Sequence, residues 1–212
     1  MAALTLKTKN LPLLGCLFLW CFGLYILALG ALPASTEATA HFTSLQTTSQ
    51  WSALGLPLLL LIISGLASSK QKEIVVFWRV KNRLPGCRAF SDLARKDNRI
   101  DYKALRKMVS PWPSSPDDQN RSWYKLYSKI QDQQVVLHSH QLYLLGREAT
   151  VLLFLFMVPT SLSVLFFAGA HRATPYFVFM AFQYFLCAVA TQNFASRLVC
   201  NVLAISTSEL AD

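Results

Sequence analysis

ATVLLFLFMVPTSLSVLFFAGA, residues 149–170, carries no Asp, Glu, Lys or Arg. A helix that crosses a hydrocarbon core of about 30 Å needs about 20 mostly apolar residues, and this stretch supplies them. A helix buried in a soluble core keeps a polar face. Here every side is apolar, so lipid rather than protein interior is the expected surrounding. The same reading applies to TPYFVFMAFQYFLCAVATQNFAS, residues 174–196, between Arg172 and Arg197. It applies to residues 11–33, within a segment uncharged between Lys9 and Glu37, and to residues 51–68, uncharged between Glu37 and Lys70. The 51–68 stretch is the shortest and holds Pro57, so it is expected to span by extending as helix on its cytosolic side. A content of 53% hydrophobic residues and a mean hydropathy of +0.36 exclude an ordinary soluble domain.

Charge placement orients the spans. The segment 70–148 holds 16 of the 20 Lys and Arg and 8 of the 11 Asp and Glu, whereas the loop 33–50 has one Glu and no cation. Cytoplasmic loops carry the excess of Lys and Arg. The N-terminus, the long middle loop and the C-terminus are therefore expected in the cytoplasm, with the 36–50 loop and the 171–173 turn outside. All five cysteines, Cys16, Cys21, Cys87, Cys187 and Cys200, then lie in spans or on the cytosolic side, so no disulfide is expected. A cleaved leader is the alternative for the first stretch, given Lys7, Lys9 and small residues near 28–35. Its apolar run, about 20 residues, exceeds the roughly 7–15 of a leader, which favours an anchored span.

The expected fold is therefore all-α: an integral membrane protein with four transmembrane helices and a small helical cytosolic domain between helices 2 and 3. The expected divisions are an N-terminal hairpin, 1–68, with spans at 11–33 and 51–68; a basic helical domain, 69–147; a C-terminal hairpin, 148–196, with spans at 149–170 and 174–196; and a cytosolic tail, 197–212.

Helix signals inside the basic segment are strong. In PSSPDDQNRSWYKLYSKI, residues 113–130, Ser115 can cap, Pro116 suits the first helical position, and Asp117 and Asp118 favour the positive end of the helix dipole. Trp123, Tyr127 and Ile130 then recur at i, i+4 and i+7, opposite Arg121, Lys125 and Lys129, which makes the helix amphipathic. Upstream, Asp101 can cap a helix over 102–109, and residues 110–114 and 84–87 read as turns. Residues 73–81 are expected to continue the helix of the second span, and 135–145 to run as helix into the third. The expected core is Trp78, Phe90, Leu93, Leu105, Trp123, Tyr127, Ile130 and Leu137. About 75 residues barely stabilise themselves, so this domain should lean on the membrane base or on other protomers.

The run LPGCRAFSDLARKDNRIDYKAL, followed by PDDQNRSWYKLYSKI and a His-containing helix leading into an apolar span, resembles a family of small uncharacterised bacterial multi-spanning membrane proteins. The resemblance covers about Lys72–Leu153. It implies a multi-pass protein of a bacterial inner membrane and carries over no catalytic residue.

No phosphate-binding loop, nucleophile elbow or paired-cysteine metal motif occurs, and no catalytic residue, metal ion or cofactor is predicted. His138 and His140, two apart, would point to different sides of a helix. Cys87 lies near Arg83 and Arg88, which could lower its pKa. Asp92, Asp97 and Asp101 alternate with Arg88, Arg95, Lys96 and Arg99, the pattern of solvated ion pairs. Within the spans the notable polar groups are Thr160, Ser161 and Gln183, read as interhelical glue or pore lining; a tight hairpin about residue 172 would set Gln183 across from Thr160. The absence of intramembrane charge argues against an ion-coupled transporter. Lys70, Lys72, Arg79, Lys81, Arg83 and Arg88 form a juxtamembrane basic cluster suited to lipid head groups or a phosphate-bearing ligand. A nucleotide or nucleic acid has no motif behind it, although Trp78 and Trp112 offer stacking faces.

These features lead to an expected homo-oligomeric membrane protein whose cytosolic head senses or docks a partner, acting at the membrane in a stress or phage-defence setting. Membrane lipids and a cytosolic protein are its expected partners. A scaffold or assembly factor without gating is one alternative. The other is a membrane-interface enzyme acting on lipid, for which Asp92, Asp97, Asp101, His138, His140 and Cys87 are the candidates.

Overall fold

The computed structural model describes residues 6–30 and 65–208, with side chains from Lys9 onward. Among these residues the chain is helical without strands: α1 (Leu6–Leu29), α2 (Ser69–Phe77), a 3-10 turn (Pro85–Arg88) followed by a π turn (Ala89–Leu93), α3 (Ala94–Lys96), α4 (Tyr102–Met108), α5 (Pro116–Ile130), α6 (Gln134–Ala168) and α7 (Ala170–Ser208). Three of them are long and apolar enough to cross a membrane: Lys9–Leu29, Gln134–Ala168 and Ala170–Ser208. Most of the expected second span, residues 51–64, lies outside the described residues. The chain divides into two compact units, Met1–Lys72 with Glu148–Cys187, and Glu73–Arg147 with Ala188–Asp212.

The first unit is held by an apolar cluster of Cys21, Leu153, Met157, Val164, Ala173, Tyr176 and Met180. Helix α1 ends where Gly30 takes φ +69 and its N–H bonds the Leu27 carbonyl at 3.0 Å, the left-handed cap that glycine adopts without strain. The Arg172 guanidinium sits against Gly30, where any Cβ would collide with it. Gly169, φ +81, breaks the chain between α6 and α7. The turn was expected at 171–173. It falls earlier because Gly169 is the residue there that accepts a positive φ. Lys72 is buried and ion-paired with Glu148 at 2.5 Å.

In the second unit the helix starts follow the sequence. Asp101 accepts from the Lys103 and Ala104 N–H groups, and Ser115 Oγ accepts from Asp118 N–H at 3.1 Å with Pro116 in first position. Gln119, 4% exposed, clamps the π turn: its Oε1 accepts from Phe90 N–H, Ser91 N–H and Ser91 Oγ at 3.0–3.1 Å. The core gathers Phe90, Leu105, Leu126, Ile130 and Val136 with Leu198, Val199, Val202 and Leu203. The segment read as a tail from residue 197 is thus helical to Ser208 and supplies core side chains.

Two expectations change here. Residues 73–81, expected to continue the helix of the second span, belong to a helix that starts only at Ser69, after a break at residues 67–68. Ser68 and Gln71 form a capping box, with Ser68 N–H to Gln71 Oε1 at 2.8 Å and Gln71 N–H to Ser68 Oγ at 3.4 Å, so α2 has its own start. It stops at Phe77, because Trp78 turns left-handed at φ +52. Trp78 is 48% exposed and Leu137 37%, so neither belongs to the expected core. Phe90, Leu105 and Ile130 are buried, and Leu93, Trp123 and Tyr127 pack partly buried against them.

Candidate functional site

Proline and serine fix where α5 begins, and that start fixes its faces. Asn120, Trp123 and Tyr127, at i, i+3 and i+7, share one stripe. On α6, His140, Tyr143 and Arg147 repeat the same spacing. These two stripes, the Pro85–Gly86 turn and Ala195, Leu198 and Val199 of α7 enclose a cavity of about 340 Å³ within the second unit, with Glu73, Tyr124 and Gln131 also in its wall. That is the size of a small-molecule site, lined as such sites are by aromatic groups and a few polar atoms.

The geometry of the wall is specific. Trp123 and Tyr127 stack at 5.5 Å between centroids with 21° between planes, and Tyr127 meets His140 edge-on at 5.6 Å. The Tyr127 hydroxyl and His140 Nδ1 share a hydrogen bond of 2.9 Å. Burial, then Tyr124 and Asp132, push the Tyr127 phenol above its ordinary pKa, so it stays neutral. The Arg147 guanidinium lies over the Tyr143 ring at 5.8 Å, and Glu73 is paired with Arg83 at 2.8 Å. Two polar atoms stand apart. Asn120 Oδ1 and Trp123 Nε1 are buried and have no hydrogen-bond partner among the described residues. Gly86 sits directly beneath Asn120, where a Cβ would collide with Asn120 Oδ1. Leaving a polar group buried and unpaired costs about 1–3 kcal/mol, which is why native structures hold few.

A larger cavity, about 460 Å³, opens beside His138, Ser139, Leu142, Phe194, Arg197 and Asn201. Its amide is already engaged: Asn201 donates to Ser139 Oγ at 2.8 Å and accepts from Arg99 at 3.0 Å. It offers less specific chemistry.

The basic residues singled out in the sequence divide into two groups. Lys70, Arg79 and Lys81 are exposed. Lys72 is committed to Glu148, and Arg83 to Glu73 and the Val80 carbonyl. Arg88 turns inward, its Nε buried with no hydrogen-bond partner among the described residues. Trp112 is packed between Phe90 and Tyr102 with ring centroids 5.4 Å from each, while Trp78 is exposed.

The acids named for enzyme chemistry have structural work. Asp92 pairs with Lys96, and Asp101 caps α4, with the backbone N–H groups of Ala104 and Lys103 holding its pKa below the usual range. Asp97 is gripped by Arg99, which lowers its pKa to about 2. For Cys87 the expected lowering is reversed. Burial raises its pKa first and Asp117 pushes the same way, outweighing Arg83, so it is a thiol and not a thiolate. His138 is exposed; His140 joins the aromatic cavity.

In the first unit, Thr160 bonds Tyr176 across the hairpin at 2.8 Å and its own Phe156 carbonyl at 2.7 Å. Gln183 does not face Thr160. Its Oε1 accepts from Trp20 Nε1 of α1 at 2.8 Å. The turn at Gly169 accounts for this: moving the hairpin centre by about one helical turn replaces Gln183 with Tyr176 opposite Thr160. Ser161 Oγ is buried without a hydrogen-bond partner among the described residues, at a groove of about 330 Å³ lined by Val158, Leu162, Leu165, Ala173, Thr174 and Phe177.

Sequence reasoning placed Trp123 and Tyr127 in a core and passed over Asn120, Tyr143 and Arg147. The signal that finds them is the matched i, i+3, i+7 spacing on two helices. No protein-family model, curated protein or solved structure matches this chain.

Proposed function

We propose that this chain is an oligomeric four-span protein of a bacterial inner membrane, with both termini cytoplasmic, whose second unit is a cytosolic head that senses a ligand or docks a partner and acts at the membrane. A stress or phage-defence role is the setting proposed for it. One observation carries the reading: the aromatic cavity of about 340 Å³ in the second unit, walled by Trp123, Tyr127, His140, Tyr143 and Arg147. A domain serving only as a spacer has no use for such a recess. The exposed cations Lys70, Arg79 and Lys81 fit contact with anionic head groups.

The test has two arms. Introduced thiols at Ser44 and Ser114, in a background lacking the native cysteines, are labelled from outside intact cells; Ser44→Cys should react and Ser114→Cys should not. Purified protein in dye-loaded liposomes, with and without cell extract, should form defined oligomers and release dye when the head is engaged. A reversed labelling pattern, or a monomer that never releases dye, overturns the reading.

A scaffold without gating has an observation in its favour. Among the described residues, intramembrane polar groups bond one another, as Thr160–Tyr176, Trp20–Gln183 and Tyr25–Ser163 do at 2.7–2.8 Å, which is how packing glue behaves. It predicts oligomers with no dye release under any condition.

A further inference from the structure

Resting on the reading of the chain as an oligomer in a bilayer, we propose that a second copy packs on the face of α1 and α7 that carries Trp20 and Gln183, with the two Gln183 amides hydrogen-bonded to each other across a two-fold axis.

Gln183 leaves an amide half used in the middle of a span. It lies near the centre of the uncharged stretch 174–196, and Trp20 lies near the centre of 11–33. A glutamine amide offers two N–H donors and two acceptor lone pairs. Trp20 Nε1 donates to Gln183 Oε1 at 2.8 Å, which uses one lone pair. Among the described residues Gln183 Nε2 meets only the Met180 sulfur, at 3.6 Å. One N–H and one lone pair remain. The Trp20–Gln183 bond lies at the surface of the first unit, with Trp20 53% exposed and Gln183 only partly buried. Hydrocarbon has no water to satisfy such groups, so a partner helix is what answers them.

The rest of this chain does not supply that answer. Residues 53–63, ALGLPLLLLII, the middle of the remaining apolar stretch, carry no side-chain donor or acceptor. Lipid tails carry none either. A second Gln183 carries both. Across a two-fold axis each amide donates its spare N–H to the spare lone pair of the other, and copies inserted the same way set the two residues at one depth.

The surface around the amide has the form of a helix seam. On α1, Leu13, Cys16, Trp20, Gly23 and Leu27 recur at alternating intervals of three and four, and all five are exposed. That is the spacing of helices packed side by side. Bulky Leu13, Trp20 and Leu27 alternate with small Cys16 and Gly23, so knobs and holes share one line. A Cβ added at Gly23 would meet nothing within 4 Å of its own chain, which leaves that space to a neighbour. On α7, Phe179, Phe182 and Leu186, about half exposed, flank Gln183 on one side, while Phe185 points to the opposite side of the helix.

The test uses full-length protein in liposomes. Förster transfer between copies labelled at the C-terminus, followed as protein is diluted in lipid, gives the dimer dissociation constant. Gln183→Leu should raise it about tenfold, the worth of one or two interhelical hydrogen bonds. Trp20→Phe removes the bond within the chain but leaves the amide, so association should stay within about threefold of wild type. Gly23→Leu touches nothing in its own chain, yet should weaken association by filling the hole; it serves where Gln183→Leu disturbs folding, which melting temperature and helical circular dichroism report. A benzophenone amino acid at Phe182 or Leu186 should cross-link two copies of this chain in cell membranes, and one at Phe185 should not. Cross-links from position 182 into residues 51–64 of the same chain, or into a different protein, overturn the proposal. So does equal weakening by Gln183→Leu and Trp20→Phe, which would mean that the amide acts only within one copy. Oligomers unchanged by both Gln183→Leu and Gly23→Leu overturn this interface and keep the oligomer; a monomer at every dilution removes the oligomer itself.

Discussion

Substituting Gly146 by alanine should destabilise the protein, against the ordinary gain of replacing a helical glycine. Gly146 lies within α6 and faces Thr191 of α7. A Cβ built there would lie 2.5 Å from Thr191 Oγ1, 3.2 Å from its Cβ and 3.3 Å from Cγ2. Thr191 is fully buried and branched at Cβ, so rotating χ1 exchanges one close atom for another. Helix propensity favours alanine by about 1 kcal/mol. Overpacking a tight contact costs about 1–3 kcal/mol, and because the first clash is well inside contact distance the upper half of that range applies. The net is a loss of about 1–2 kcal/mol. In a Thr191→Ala background the clash is gone and Gly146→Ala should instead gain up to about 1 kcal/mol, so the sign of its effect reverses. The coupling energy would then be about 2–3 kcal/mol, the range of residues in direct contact. Thermal or denaturant unfolding of the four proteins of the cycle, in one detergent, measures it. Stabilisation by Gly146→Ala in the wild-type background, or an equal cost in both, would refute the close-packing account.

Further outcomes follow from the same structure. Lys72→Ala should cost up to about 3–5 kcal/mol by removing the cation paired with the half-buried Glu148, and the exchanged pair Lys72→Glu with Glu148→Lys should recover part of it in detergent melts. Gln119→Leu strips the acceptor from Phe90 N–H and Ser91 N–H, so about 2–4 kcal/mol should be lost, with amide exchange rising first in residues 89–93. Asp97 has a folded pKa of about 2 against an ordinary carboxylate value, so its pairing with Arg99 contributes fully above the unfolded value and is lost as pH falls through about 2. Asp97→Asn should therefore lower the melting temperature at pH 6 and make little difference near pH 2; an equal drop at both would refute the ion-pair origin.

Local signals were the most legible part of the fold. Asp101 and Ser115 cap where their side chains and the following residues said they would, because capping depends on a few adjacent groups. The apolar runs within α1, α6 and α7 were equally plain, since lipid demands nothing but length and the absence of charge. What failed was of two kinds: local breaks in a stretch read as continuous helix, and burial by partners far away in sequence. Ser68 and Gln71 form a box that reads as two ordinary polar residues until the bend before α2 is seen. Trp78 scores as core by size, yet its positive φ carries the ring outward. Residues 198–203 look like a tail beyond a span, and the partners that bury them, Phe90 and Leu105 among them, lie about a hundred residues away in sequence.

The site was half visible for the same reason. Trp123 and Tyr127 stood out as an apolar stripe, and a stripe is ordinarily buried against another stripe. Asn120 belongs to that stripe, three residues before Trp123, and a polar residue at a buried position asks for a partner. The second stripe, His140, Tyr143 and Arg147, was masked by its continuity with the membrane helix: inside α6 it reads as the approach to a span. Neither stripe alone says cavity. A cavity needs two faces too rough to close on each other, and here the stacked Trp123–Tyr127 pair and the Tyr143–Arg147 pair hold α5 and α6 apart, while Gly86 supplies a wall with no side chain to fill the gap. That combination, bulky rings on both faces and a glycine between, leaves a recess of about 340 Å³ between α5 and α6.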